Sequence, residues 1–250
     1  AGGFTLEAIE AVCADNDSSV FLLDQLTRLI DNSLVAVEPR QNTMRYRLLE
    51  TTREYAREKL HQSNEFQNVQ DKHLLYFLGL VEANEYGVRA GRLEAVGQME
   101  MDYANICAAL DYALKRNPEF AIRLGAGMDW FWDFTSRGKE GDIWAKQLLA
   151  LTDPNEPSKL RALALGLAGS RAGGSGDHTA AHDLLHASLD MARRLSDQPQ
   201  MLKVLNDLAA NMYHANQWAQ MQPYAEQALL LGRELNNPHA IANALWQLGS

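Results

Sequence analysis

The stretch Arg45-Tyr-Arg-Leu-Leu-Glu-Thr-Thr-Arg-Glu-Tyr-Ala-Arg-Glu-Lys-Leu60 decides how this chain is read, because its hydrophobic period changes half-way along. Tyr46 and Leu48 alternate with polar neighbours, as do Val35 and Val37 on the segment before, and a period of two belongs to half-buried strands. From Thr51 onward the spacing becomes three and four, through Thr52, Tyr55, Ala56, Lys59 and Leu60. That is the period of an amphipathic helix. Thr51 or Thr52 is placed to cap it, with Glu54 near the capping-box position.

Working backward, residues 4–13 read as a short helix with Phe4, Leu6, Ile9, Val12 and Cys13 on or near one face and Thr5 as its cap. Residues 15–19 read as a turn and a cap. Residues 20–33 read as a second helix that turns Phe21, Leu22, Leu26, Leu29 and Ile30 inward. A strand over 34–38, a turn at 39–43 and a returning strand over 44–50 complete the order helix, helix, hairpin, helix. That order is a winged-helix arrangement in which the hairpin is the wing, and it occupies residues 1–62.

Working forward, residues 63–117 read as a helical connector: a long helix over 66–86, a loop and short helix over 87–97, and a helix over 103–116 stopped by Asn117-Pro118. Beyond it the chain repeats itself. Gly138, Gly176 and Asn216 lie 38 and 40 residues apart, and twelve residues after each stand Ala150, Ser188 and Ala228, all small. Thirteen after each stand Leu151, Leu189 and Leu229. Small residues where two helices cross, and Leu where a hairpin packs on its neighbour, are what a stacked helical repeat requires. The copies fall at about 118–157, 158–199 and 200–238, and a fourth opens over 239–250. The fold class expected is mainly α: a small winged-helix domain with a two-stranded wing, followed by an α-α superhelical repeat array.

Three segments carry a family resemblance: residues 1–8 (Ala-Gly-Gly-Phe-Thr-Leu-Glu-Ala), 26–35 (Leu-Thr-Arg-Leu-Ile-Asp-Asn-Ser-Leu-Val) and the helix of 46–60. Together they resemble the winged-helix segment that follows the nucleotide-binding module in STAND-class, NB-ARC-like signalling ATPases, the bacterial regulators of LuxR and SARP type. Residues 105–114 (Asn-Ile-Cys-Ala-Ala-Leu-Asp-Tyr-Ala-Leu) are similar to the helix that opens the helical arm there, and the repeats to that family's roughly 40-residue tetratricopeptide (TPR) variant. The resemblance implies a winged helix that relays nucleotide state and an array that binds an effector or protein partner. It implies no cofactor in this chain: ATP or ADP belongs to an upstream domain, itself the expected protein partner alongside possible self-association. It also makes direct DNA contact by this domain an unfavoured reading; the alternative it leaves is a DNA-binding winged helix whose TPR array mediates oligomerisation. The non-Met start and the ending inside a helical pattern read as a piece of a longer protein.

Composition agrees with a protein of this kind. Apolar residues make up 46% and charged residues 22%, ordinary for a globular chain, and the formal net charge is −9. Neither residues 1–60 nor the rest carry the positive balance of a general polyanion binder. No apolar run approaches the roughly 20 residues of a membrane span, and no basic-then-apolar leader opens the chain. A cytoplasmic location without membrane attachment is the expectation. Cys13 and Cys107, far apart and on helical patterns, read as small buried hydrophobes rather than a disulfide or zinc framework.

No catalytic constellation stands out, so an enzyme is not expected. Gly138-Lys139 is followed by Glu140, not the Ser or Thr of a phosphate-binding loop, and Gly173-Gly174-Ser175-Gly176 reads as a turn between helices. His178, His182 and His186 share a helix face at metal-ligand spacing, yet no Glu sits between them and no fourth ligand accompanies them, so packing or exposed histidines are the better reading. Arg45, Arg47, Arg53 and Arg57 mark an interdomain or nucleic-acid face, although Glu50, Glu54 and Glu58 can ladder with the helix arginines. By register from the repeat anchors, Met128, Trp132, Lys203, Asn206, Tyr213, His214, Asn243 and Trp246, with Thr135, would line a groove for a peptide or small ligand. The competing reading is that the tryptophans pack between repeats.

Overall fold

The computed structural model describes residues 2–13, 19–40 and 43–249, with the side chains of residues 19–21 and 40 outside that description. The inward placement of Phe21, the turn expected at residues 15–18 and the tip of the wing at 41–42 therefore lie outside the described residues. The fold is mainly helical with a single hairpin among the described residues. It divides into two compact units, Ala1–Gly87 with Leu93–Arg116, and Val88–Arg92 with Asn117–Ser250.

In the first unit, α1 (Leu6–Cys13) starts where Thr5 Oγ1 accepts from the Ala8 amide at 3.2 Å. Helix α2 (Ser19–Asp31) buries Leu22 and Leu26, whereas Leu29, expected inside, is 37% exposed. Ser33 at φ 58° turns the chain into β1 (Val35–Arg40), which pairs antiparallel with β2 (Thr43–Leu48). Val35 faces Leu48 and Val37 faces Tyr46 across the ladder, as the period of two requires. Phe4 adds a short third edge: its N–H and C=O both bond Tyr46 at 2.9 Å, and the two rings stack at 5.8 Å.

Helix α3 (Glu50–Gln62) begins at Leu49 without a side-chain cap, so Thr51 and Thr52 lie inside the first turn and cap nothing. No residue of α3 is buried, and Tyr55 is 62% exposed. Of the residues that carry its period, Tyr55, Ala56 and Lys59 are exposed, and Thr52 and Leu60 are half-buried. Beyond it α4 (Phe66–Arg89) and α5 (Leu93–Arg116) are both long. The short helix expected over 87–97 is absent: Gly87 is helical inside α4, and the chain reverses at Gly91, φ 68°. Phe77, Val81, Met99, Ile106 and Leu110 are buried in this unit, and the Tyr112 hydroxyl donates to Asp71 Oδ1 at 2.9 Å.

The second unit is a stack of helical hairpins: α6 (Pro118–Phe134) with α7 (Gly138–Ala150), α8 (Lys159–Gly174) with α9 (His178–Arg194), and α10 (Gln198–His214) with α11 (Trp218–Glu234), then α12 (Pro238–Leu248). Asn117, Ser158, Asp197 and Asn237 cap the first helix of each copy by accepting from the amide three residues on. The left-handed turn residues set the register: Ser136, Gly176 and Asn216 inside the hairpins, each 40 apart, and Ser196 and Asn236 between them, again 40 apart. The first anchor is thus Ser136 and not Gly138, and the repeat is 40 residues throughout. The burial pattern of 122–130 recurs position for position at 162–170 and 202–210. Glycines sit where the helices come closest: a Cβ on Gly141 would lie 2.8 Å from the Trp132 ring, and one on Gly169 3.0 Å from the Leu185 amide nitrogen.

Candidate functional site

The four arginines of the supposed interdomain or nucleic-acid face part company. Arg45, on β2, is 7% exposed; its Nη2 donates to Asp102 Oδ1 at 2.9 Å and to the carbonyl of Gly3 at 3.2 Å. Asn105 Nδ2 joins the same cluster, donating to Asp102 Oδ1 at 3.0 Å and Gly3 O at 2.8 Å. Arg45 is therefore an internal clasp between the wing, the N-terminal edge and α5, and it cannot face a partner. Pairing with a buried carboxylate is what lets a guanidinium sit inside. Arg47 stays 60% exposed with Glu38 at 3.9 Å, Arg53 pairs with Glu50, and Arg57 is exposed. On α2, the helix a DNA reader would present, Arg28 is held by Asp24 at 2.9 Å. Large apolar side chains are exposed around these charges: Leu23, Leu34, Met44, Leu49 and Tyr55.

The array residues also divide. Met128 and Trp132 are 1% exposed and Asn206 is 3% exposed, so all three belong to the packed interior. The two-residue slip of the first anchor accounts for Trp132, whereas the position given to Met128 is buried in every copy. In the 40-residue register the positions equivalent to Asn206 are Ala126 and Gly166, all three buried where helices cross. Lys203, Tyr213 and Asn243 are half-buried, His214 is exposed and Trp246 is 58% exposed. Tyr213 gathers aromatic neighbours: Trp246 at 5.0 Å, Trp218 at 4.9 Å and His214 at 5.4 Å between ring centroids. Register now brings Trp130 and Phe134, 51% exposed, to the positions first given to Trp132 and its neighbours.

The sequence reading missed a charged cluster at the first junction of the array. Arg171, 2% exposed, donates to the Asp129 carbonyl at 3.0 Å and lies 3.4 Å from its carboxylate. It also pairs with Asp133 and lies 3.5 Å from Asp142. Both carboxylate oxygens of Asp129 are buried, and burial pushes its carboxyl up to about 6 against the pull of Lys203, Arg171 and the Ser170 hydroxyl. Arg171 takes the place that Phe131 and Asn211 hold in the other hairpins, and Asp129 the place of Gly169 and Ala209. A charge at a position that is uncharged in the other copies was the available signal, and the slipped register hid it.

Two of the three histidines of α9 are bound into the stack, while His182 meets Asp183 and His186 of its own helix. His178 Nδ1 donates to Asn211 Oδ1 at 2.8 Å and accepts nothing from its neighbour's amide, which instead reaches the His178 carbonyl at 3.0 Å. His186 Nε2 meets the Tyr224 hydroxyl at 2.7 Å. Among the described residues no three His, Cys, Asp or Glu side chains are placed to hold a metal ion. Cys13, expected inside, is exposed, and Cys107 is half-buried. No described helix is long and apolar enough to cross a membrane.

Comparison with known proteins bears on the first unit most directly. Residues 1–61 match the family described as a winged helix-turn-helix domain. The helix, helix, hairpin and helix of this chain are that domain. Across 99% of the chain, a provisionally named HTH-type transcriptional regulator of Mycobacterium tuberculosis is 29% identical, as is its counterpart in Mycobacterium bovis. An uncharacterized Mycobacterium tuberculosis protein is 37% identical over 36% of the chain. The chain spans 29% of the length of those regulators. Among solved structures, BtubC from P. vanneervenii is 14% identical with a TM-score of 0.48, covering 70% of this chain and 84% of that one. A Pyrococcus horikoshii STAND protein with a tetratricopeptide repeat sensor is 12% identical with a TM-score of 0.34, covering 97% of this chain and 52% of that one. At such scores neither structure carries an argument about this chain.

Proposed function

We propose that this chain is a non-catalytic regulatory arm of a STAND-type, NB-ARC-like signalling ATPase that controls transcription. The winged helix-turn-helix domain relays nucleotide state, and the TPR-like array receives an effector or a protein partner. The single observation that carries this reading is α3. It is a regular 13-residue helix without one buried residue, and Leu49 and Tyr55 stand exposed beside Arg53 and Arg57. Isolated helices of this length are marginal in water, so a helix with an unburied apolar stripe is best explained by a partner surface. Mixed charge and exposed apolar side chains suit a protein surface better than a phosphate backbone. ATP or ADP would be bound by a separate domain of the whole protein, and the setting is cytoplasmic.

A second reading is favoured by the domain family and by the naming of the relatives as transcriptional regulators: the winged helix contacts DNA itself through Arg47, Arg53 and Arg57. One experiment separates the two. The chain is incubated with a separately expressed nucleotide-binding segment of the parent protein, with ADP and with a non-hydrolysable ATP analogue. Nucleotide-dependent capture, lost when Arg53 and Arg57 are reversed to Glu, supports the relay. Absence of capture together with duplex binding that falls steeply with salt supports direct DNA contact.

A further inference from the structure

The first unit contains an apolar cavity of about 330 Å³, open on one side, bounded by α1, α2, the wing and α4, with Arg53 of α3 and Asn105 of α5 also on its wall. Its wall is built mainly by Phe4, Ala8, Val12, Val35, Leu48 and Phe77. A volume of this size lies at the lower end of small-ligand pockets, which are mostly apolar with a few polar groups. Here those groups are distinctive. The charged side chains on the wall are Arg47 and Arg53, and no carboxylate lines the cavity among the described residues. His73 also lines it, and its Nδ1 is buried with no hydrogen-bond partner.

We propose that this cavity binds a small amphipathic carboxylate, its apolar body against the aliphatic and aromatic wall and its carboxylate on the guanidiniums of Arg47 and Arg53. The planar guanidinium fork matches a carboxylate better than any other common anion partner, and two of them at one cavity select for negative charge. Their present partners do not prevent this. Glu38 lies 3.9 Å from Arg47, beyond hydrogen-bond length, with both side chains largely exposed. Glu50 and Arg53 form an (i,i+3) pair, with Glu50 62% exposed. Surface pairs of this kind contribute little and exchange readily. A cation would meet two like charges, and a neutral apolar molecule would gain nothing from the two guanidiniums. The site stands apart from the array proposed above to receive an effector, and failure of that reading leaves it untouched.

The test is calorimetric titration of the chain with decanoate, and with decanol and decylammonium as neutral and cationic controls of the same body. The His73 imidazole resonances report whether binding occurs in this cavity. Saturable binding of decanoate, a shift of the His73 signals and much weaker binding of both controls are expected. Arg47→Gln with Arg53→Gln should lower decanoate affinity about tenfold or more, and Val12→Phe, which fills the cavity, should abolish it. Circular dichroism checks that each variant folds. If Val12→Phe does not, the double arginine variant decides, since neither arginine is buried. No saturable binding, equal binding of decanoate and decanol, or indifference to the arginine substitutions overturns the proposal.

Discussion

Asp129 is a carboxylate where the neighbouring hairpins have Gly169 and Ala209. It is 1% exposed, and its carboxyl is raised to about 6, by burial first and by Asp207 in addition, while Lys203 and Arg171 pull it down. In the unfolded chain the same group titrates near 4. Between those values the folded state keeps a proton that the unfolded state has lost, so Asp129 makes the protein less stable as pH rises from about 4 to about 6. Asp129→Asn removes that slope and stabilises the array at pH 7 by up to a few kcal/mol, provided Asp133 and Asp142 continue to satisfy Arg171. Urea melts at pH 4, 5, 6 and 7 would decide it; an unchanged slope refutes the assignment. His73 acts in the opposite sense. Burial pushes it down to about 4, so the folded state resists protonation and loses stability as pH falls from about 6.5 to 4. His73→Phe should therefore flatten the acid side, and a steeper acid loss in that variant would contradict the burial argument.

At the scale of elements, the Arg45 clasp makes the sharpest prediction. Its guanidinium ties β2 to α5 through Asp102 and reaches the Gly3 carbonyl of the N-terminal edge. Arg45→Ala leaves Asp102 buried with the Asn105 amide and no guanidinium, and losing one partner of a buried pair costs about 3–5 kcal/mol. Replacing both partners, Arg45→Met with Asp102→Leu, should recover most of that loss, as read by chemical denaturation. Two single variants that add to the double-variant loss would mean the pair does not couple. The turns give a second prediction. Gly176 adopts φ 87° at the position where Ser136 adopts 58°. A left-handed residue with a Cβ costs roughly 1–2 kcal/mol, so Gly176→Ala should destabilise by about that amount and Ser136→Gly should stabilise by rather less. The wing and the repeat hairpins were legible because period two, period 3.6 and a 40-residue recurrence are backbone properties written in side-chain polarity. The connector was misread at Gly87, which looks like a breaker but has its φ inside α4. The exposure of Leu29 and Tyr55 was not legible at all. Periodicity says which residues share a face, and only the neighbours say whether that face is covered. The same limit separates Trp246, which is exposed, from Trp132, which is not.

At the scale of the whole array, stability should be local and additive across neighbours, because each hairpin buries its apolar face only against the next. The cluster of Leu202, Leu205, Leu208, Ala228 and Leu231 on α10 and α11 is completed by Ala240 and Ala244 of α12 and by Leu185 and Leu189 of α9. Gln247 of α12 adds a hydrogen bond to the Asn206 carbonyl at 3.3 Å. A chain stopped after Leu235 exposes one side of that cluster and leaves its other side seated on α9. Amide exchange should then accelerate through α10 and α11, by an amount set by the lost burial of two alanines and the uncovered leucines. It should change little in α6 and α7, which pack with each other and with α8. The Arg171 cluster is the second term in this argument. It joins α6, α7 and α8 through Asp129, Asp133 and Asp142, so Arg171→Ala should accelerate exchange in those three helices while α11 stays protected. A uniform response along the array to either change would mean that it unfolds as one cooperative block, and that the 40-residue register describes its geometry without dividing its energy.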